Sequence, residues 1–354
     1  MTKYIYNCHT HIFTHKHIPD RYFYLGFVKA ARIKWLRKII QTVMKTIIPF
    51  SENDLAHRYA GFVETAYRDT QQENADALIS CYKQYPNMKF IVLPMDMELM
   101  ERGKVKENID KQHKELVELC NDEKYRDKLI PFAHINPRQP NALSKLKELV
   151  EQNGIKGVKI YPPLGYRPDH PVLINDIYPY LMQMNLPLMA HCAKGDVYQG
   201  YRRFAKNRKA ALEYMNPIHY IEILKKFKKL RICLAHFGSD SDWQSISTSS
   251  INPKNPDHWH SIIKQMINSN QYPNLFTDIS YSCSAKSNNL NVLANMMEEE
   301  APINSRILFG TDFYIATSNK IKENDITTNI QDKLNPKHFD LITRKNPETY
   351  LYGK

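Results

Sequence analysis

Four histidines and an aspartate stand where a metal ion could use them. Asn7-Cys8-His9-Thr10-His11 closes a short β-rich run near the start of the chain. Side chains alternate along a strand, so His9 and His11 point the same way and two imidazoles can share one ion. Later runs end in the same residue class: Leu188-Met189-Ala190-His191-Cys192, Cys233-Leu234-Ala235-His236-Phe237-Gly238 and Phe309-Gly310-Thr311-Asp312-Phe313. Taken singly, a His-x-His pair is two polar residues at a strand end, and a lone histidine on an apolar strand is a core residue with a satisfied ring. Taken together, three imidazoles and a carboxylate suit one divalent ion, Zn²⁺ first, or Mn²⁺ or Fe²⁺ with more water. Such a set leaves a position for a water or a substrate oxygen.

Gly157-Val158-Lys159-Ile160-Tyr161 alternates in the same way and places Lys159 inside if Val158 and Ile160 face outward. There it would pair with the metal carboxylate, bind an anionic substrate or, carboxylated, bridge a second metal; otherwise its ammonium snorkels out of the strand end. Arg167, with Arg202 or Arg203, follows the fourth and fifth runs, and the guanidinium fork suits a carboxylate unless it is simply solvated. Tyr161, Tyr166 and Tyr281 stand at strand ends on the same side, either packing or lining a pocket. His134, near the end of the third run, is within reach of the same pocket. Strict alternation turns Cys8 and Cys192 away from it, as buried structural thiols.

These groups need a frame that brings positions 9 and 312 together. Eight β-rich runs, at residues 3–8, 89–95, 129–135, 157–161, 186–191, 231–236, 275–280 and 306–310, alternate with helical periodicity at 110–120, 142–152, 176–184, 218–227, 262–269 and 292–299. That order predicts an α/β fold, a TIM-like (β/α)8 barrel, whose C-terminal strand ends converge on one face. Asn141 is a candidate N-cap, and Gly154 a candidate stop. A single barrel domain over 1–354 accounts for the length if about 15–85 is a helical insertion after the first strand. Within it, 29–48 is basic and amphipathic, with Ile33, Leu36, Ile40, Val43 and Ile47 on one side, and reads as a lid helix ahead of a membrane-surface one. The polar stretch 238–257 reads as a long loop.

The 354 residues are 42% hydrophobic and 24% charged, which excludes disorder and low-complexity architectures. Lys+Arg exceed Asp+Glu by 49 to 37, for a net +12. The cations are spread along helix faces, without a basic tail, zinc-finger spacing or aromatic-basic RNA motif, so no nucleic-acid partner is expected. The six cysteines, Cys8, Cys81, Cys120, Cys192, Cys233 and Cys283, form no CxxC pair, and no apolar leader or spanning segment is present. A reduced, cytoplasmic protein is expected, with membrane attachment disfavoured.

The chain resembles the amidohydrolase superfamily, and within it the amidohydrolase-related branch that includes the aminocarboxymuconate-semialdehyde decarboxylase group and several lactonases. The resemblance spans nearly the whole chain and is carried by Cys8-His9-Thr10-His11, by 157–163, by 165–171, by 186–191, by Leu234-Ala235-His236-Phe237-Gly238, by 272–280, by Gly310-Thr311-Asp312 and by 346–351. It implies a metal held by His9, His11, His191 and Asp312, with His236 near the metal-bound water as acid, base or oxyanion stabiliser; the expected catalytic pair is Asp312 and His236, and the residue types themselves put Lys159, Tyr161, Arg167 and Tyr281 around the substrate. One position departs: an acidic residue often precedes the first histidine by two, and Asn7 stands there, which weakens the decarboxylases that ligate through it as a guide. The implied reaction is hydrolysis of a small carboxylate-bearing lactone, amide or ester by metal-activated water. The alternative is non-oxidative decarboxylation of an aromatic or unsaturated acid. A non-catalytic, ligand-binding or membrane-associated barrel would leave the constellation idle. Dimers are common in the resembled branch, so a homodimer is the assembly to test.

Overall fold

The computed structural model describes residues 4–22, 27–47, 68–195, 197–201, 204–248, 257–282, 287–299, 301–313 and 322–353. All eight expected runs form strands: β1 (Ile5–Thr10), β2 (Met88–Val92), β3 (Leu129–Pro131, resumed after Phe132 as Ala133–His134), β4 (Val158–Ile160), β5 (Leu188–His191), β6 (Ile232–Ala235), β7 (Leu275–Asp278) and β8 (Ile307–Leu308). Every ladder is parallel. β1, β2 and the first piece of β3 make one sheet, and the rest make a second.

Backbone bonds join the two sheets at both seams. The Phe132 N–H donates to the Val92 carbonyl at 3.1 Å and the Ala133 N–H to the Gly157 carbonyl at 2.9 Å, so β3 passes its bonding from β2 to β4 within one residue. Opposite, the Cys8 and His11 N–H groups donate to the Phe309 and Phe313 carbonyls at 2.8 Å, and the Asp312 N–H donates to the His9 carbonyl at 2.9 Å. The strands thus close into the (β/α)8 barrel, and the chain beyond β8 lies against β1.

A parallel sheet buried on both faces divides its apolar residues by alternation. Val158, Ile160, Leu188, Ala190, Ile232, Leu234 and Leu275 join the outer core with the helices. Tyr6, Cys8, Ile91, Leu93, Ile130, Phe132, Met189, Cys233, Ala235, Phe276 and Leu308 form a separate inner cluster, capped by Tyr350 and Leu351. Lys159 pairs in register with Met189, which pairs with Cys233 and so with Phe276, and thereby belongs to the inner face.

The helices lie near their expected places, at Ile109–Asn121, Ala142–Glu151, Tyr178–Gln183, Tyr220–Lys226, Trp259–Asn268 and Ser287–Glu298. The last begins early because Ser-Asn-Asn carries no apolar periodicity. Asn141 does not cap with its side chain; it takes the left-handed conformation (φ 59°) that asparagine tolerates. Gly154 follows the same helix with φ 70°. The stretch 238–257 is not all loop: Asp240–Ser247 is helical, begun by a Ser239 N–H bond to Asp242 Oδ2 at 3.1 Å, and 249–256 lie outside the described residues.

In the insertion, Phe27–Ala31, Lys34–Ile47 and Gln71–Ser80 are helices. Of the expected apolar stripe, Ile33 is 46% exposed and Leu36 half-buried, while Arg37 turns inward onto Asp69. Residue 48 and the side chains of Ile40, Val43 and Ile47 lie outside the described part. Among the described residues no helix is long and apolar enough to cross a membrane.

Arg231, at the start of β6, ties the capping segment to the barrel floor. Its Nε donates to the Tyr350 carbonyl at 2.6 Å, and its Nη2 to the Asn185 and Leu351 carbonyls at 2.7 and 3.2 Å. Arg231→Met keeps the stem but strands these buried carbonyls, and is expected to lower the unfolding free energy by ~2–4 kcal/mol in urea titrations.

Candidate metal centre

The register of β1 against β2 slips between Asn7 and Thr10. A bulge of this kind re-aims side chains, and here it lets Cys8 enter the inner cluster while His9 also turns to the interior. Strict alternation had placed Cys8 outside; the bulge is the reason it is not. The approach of β8 is as close as atoms allow, because a Cβ on Gly310 would lie 2.8 Å from that of His9.

His9 Nδ1 donates to Asp278 Oδ2 at 2.9 Å, and His11 Nδ1 donates to the Leu93 carbonyl at 2.7 Å. Both acceptors fix the proton on Nδ1 and leave the Nε2 lone pair free. Burial, with the Lys159 ammonium nearby, pulls the His9 imidazole down to about 3, so it is neutral. The two Nε2 atoms face Asp312 Oδ1, at 3.7 Å from His9 and 3.2 Å from His11. Two imidazoles and a carboxylate thus converge with ligand atoms within 4.8 Å of one another, a donor set of the kind that holds a divalent metal.

His191 and His236 sit beside this group and bond to each other. His191 Nε2 donates to the Ala193 carbonyl at 3.2 Å, and its Nδ1 lies 3.1 Å from His236 Nε2. The His236 ring centroid lies 4.7 Å from that of His9. Its backbone opens a left-handed turn, with φ 71° at His236, 47° at Phe237 and 84° at Gly238, and its N–H donates to Asp278 Oδ1 at 3.0 Å. Burial lowers both imidazoles below their ordinary range.

The Tyr161 ring stacks on His191 with centroids 4.2 Å apart. Tyr166 is buried, and its hydroxyl accepts from the Tyr161 N–H at 2.7 Å. Lys159 is completely buried, which overturns the snorkelling alternative, and its Nζ has no hydrogen-bond partner. Burial lowers that ammonium to about 8, opposed by Asp278 and Asp312. Tyr281 is half-buried at the end of β7 in a left-handed conformation. Arg167 is turned toward solvent, with Nε and Nη2 on Asp169 at 3.0 and 2.8 Å and Nη1 toward Glu213 at 3.5 Å. Arg202 and Arg203 lie outside the described residues.

His17, Glu107 and Glu115 form another His-carboxylate group. It is not a metal site of the same kind. The Thr14 N–H donates to His17 Nδ1 at 3.0 Å, which leaves the proton on Nε2, the atom facing Glu107.

The family model described as amidohydrolase matches residues 7–351. Among solved structures, the 5-carboxyvanillate decarboxylase of Novosphingobium aromaticivorans, complexed with manganese and a nitrobenzoic acid, is 13% identical with a TM-score of 0.57 over 99% of this chain and 96% of its own. A 4-oxalomesaconate hydratase from Rhodopseudomonas palustris is 14% identical, TM-score 0.53, over 99% and 95%. An amidohydrolase of Burkholderia multivorans with bound zinc is 12% identical, TM-score 0.53, over 99% of each chain. At these identities the likeness is one of fold. No curated protein matches the sequence.

Sequence reasoning gave Asp278 no role, although it is a lone carboxylate in the apolar run Leu275-Phe276-Thr277-Asp278-Ile279. Burial alone would raise its carboxyl, but the His9 ring, His236 and Ser280 hold it well below the usual range. Asp278→Asn offers His9 a weaker acceptor and frees the ring to turn. It is expected to weaken Zn²⁺ binding by ~10–100-fold, read by competition with a chromophoric chelator.

Proposed function

Because the chain belongs to the amidohydrolase family, and so is a metal-dependent enzyme of that superfamily, we propose that it hydrolyses a small carboxylate-bearing lactone, amide or ester. The reading rests on one observation: the His9 and His11 rings face the Asp312 carboxylate while the buried Lys159 ammonium lies in the same interior without a hydrogen-bond partner among the described residues. A divalent ion held by His9, His11, His191 and Asp312, Zn²⁺ first and Mn²⁺ or Fe²⁺ otherwise, supplies Lewis acidity that acidifies water and polarises a carbonyl.

Asp312 takes the proton of the attacking water and returns it to the leaving group. His236, whose Nδ1 faces the Ser280 carbonyl at 3.2 Å and whose Nε2 lies 3.1 Å from His191 Nδ1, stands beside the position of the developing oxyanion as its stabiliser. Lys159 pairs with the substrate carboxylate. In a closed interior such a pair is held strongly, and removal of one partner leaves the other exposed to the full desolvation penalty. Tyr161 forms a flat wall beside His191, and Tyr281 stands at the rim. Arg167, committed to Asp169 and Glu213, leaves the anion to Lys159.

Decarboxylation is the rival chemistry for this donor set. Against it, position 7 contributes no acidic ligand: the Asn7 amide donates to Thr311 Oγ1 at 2.8 Å and accepts from the Thr311 N–H at 3.2 Å. We take the barrel as one catalytic domain over 1–354, with the insertion at about 15–85 part of its mouth. We place the protein in the cytoplasm, where Cys8, Cys81, Cys120, Cys192 and Cys233 stay free thiols.

A panel of lactones, amides, esters and aromatic acids, assayed with Zn²⁺ and with Mn²⁺ in ¹⁸O-labelled water, tests the reaction. Label in the product is expected; CO₂ release without label assigns decarboxylation instead. On the substrate found, Asp312→Asn is expected to lower kcat by ~10²–10⁴-fold. Lys159→Met is expected to raise KM for that anion at least tenfold, and to change it little for the corresponding neutral methyl ester.

A further inference from the structure

Asp312 sits at φ 61°, a conformation that a non-glycine residue keeps only when its surroundings over-determine it. Part of that constraint is the Asp312 N–H bond to the His9 carbonyl. The rest runs through the preceding residue. Asn7 Oδ1 accepts from the Thr311 N–H at 3.2 Å, and Asn7 Nδ2 donates to Thr311 Oγ1 at 2.8 Å. With its lone pair taken by an amide donor, the Thr311 hydroxyl must give its own hydrogen to an acceptor. That acceptor is Glu323 Oε1, at 2.5 Å, which also accepts from the Tyr82 hydroxyl at 2.7 Å.

All four side chains are buried, and Glu323 Oε2 has no hydrogen-bond partner. A half-satisfied carboxyl is a poor choice for stability alone, since a buried acceptor without a donor is unfavourable. Burial pushes this acid up to about 7, with Tyr82 and Asp312 the titratable groups facing it. A group kept despite that penalty has a positional use.

We propose that Glu323 is a positioning residue for the metal carboxylate: through Thr311 and Asn7 it clamps the left-handed turn that aims Asp312 at His9 and His11. The clamp rests on Asp312 being a ligand, as in the reading above, but not on which reaction the site performs. Asn7 holds the turn from β1, and Glu323 holds it from the helix Glu323–Lys333. Removal of either hold lets Asp312 relax away from the imidazoles.

The test compares the full-length protein with Glu323→Ala, Glu323→Gln and Thr311→Val, each checked for cooperative thermal unfolding. Zn²⁺ affinity is read by competition with a chromophoric chelator, and kcat and KM on the substrate the panel identifies. Glu323→Ala and Thr311→Val are each expected to weaken Zn²⁺ binding about tenfold or more and to lower kcat with KM changed less than twofold. The double variant is expected to add nothing, because both residues belong to one chain of bonds. Glu323→Gln, which keeps an oxygen where both hydroxyls donate, is expected to recover most of the loss. Folded Glu323→Ala or Thr311→Val protein that binds Zn²⁺ as tightly as the parent overturns the proposal. If Glu323→Ala does not fold, Thr311→Val alone decides. Loss of Zn²⁺ affinity with no activity anywhere in the panel supports the clamp while refuting the hydrolytic reading.

Discussion

The buried carboxylate of Asp278 holds three strands in the one orientation that lets their side chains act together. It accepts from the His9 ring on β1, from the His236 backbone after β6 and from the Ser280 N–H after its own strand. The first bond fixes the tautomer of His9 and so directs its lone pair toward Asp312. The second pins a left-handed turn without which His236 would not reach His191. Donors on both oxygens keep the group ionised against burial, and the Lys159 ammonium supplies positive charge within the same interior.

That arrangement stands on a largely apolar barrel interior. The inner cluster of Tyr6, Cys8, Met189, Cys233 and Phe276 packs beneath it, and Tyr350, Leu351 and Arg231 close its floor. Burial lowers the His9, His191 and His236 imidazoles first, and the Lys159 ammonium adds to it, because charges in such an interior interact more strongly than in water. The net +12 has no comparable weight. It is an excess spread along the chain, and exposed pairs such as Lys145 with Asp110 and Lys225 with Glu222 contribute little to stability.

The strands, and the convergence of His9, His11 and Asp312, were legible in the sequence because both follow from period-two alternation in a closed parallel sheet. What failed to show has physical causes. The bulge in β1 breaks the alternation that the reading relied on, so Cys8 was placed on the wrong face. Arg167 looked like an anion ligand because its position follows β4, whereas its orientation depends on Asp169 and Glu213, one of them 46 residues away. Asp278 was passed over because its contact is to the His9 ring, and sequence patterns mark a histidine pair more plainly than the group that orients it. The helix Asp240–Ser247 carries too few apolar residues for periodicity to reveal, and a local bond between Ser239 and Asp242 starts it.

The residue that departs from the family pattern becomes intelligible in the same terms. An aspartate at position 7 would give Thr311 Oγ1 no hydrogen to accept and would add a carboxylate to a closed space that already holds Glu323 and Asp312. Like charges at that range raise one another's pKa, and one of the three would take up a proton. An amide avoids this, because it donates with one end and accepts with the other and adds no charge beside Asp312 and Glu323. Asn7 and Glu323 are therefore coupled choices. The insertion shares in them, since Tyr82, just beyond the helix Gln71–Ser80, supplies the second hydroxyl that Glu323 accepts. A segment that looks like an addition to the barrel is in this respect part of the bond chain behind the turn at Asp312.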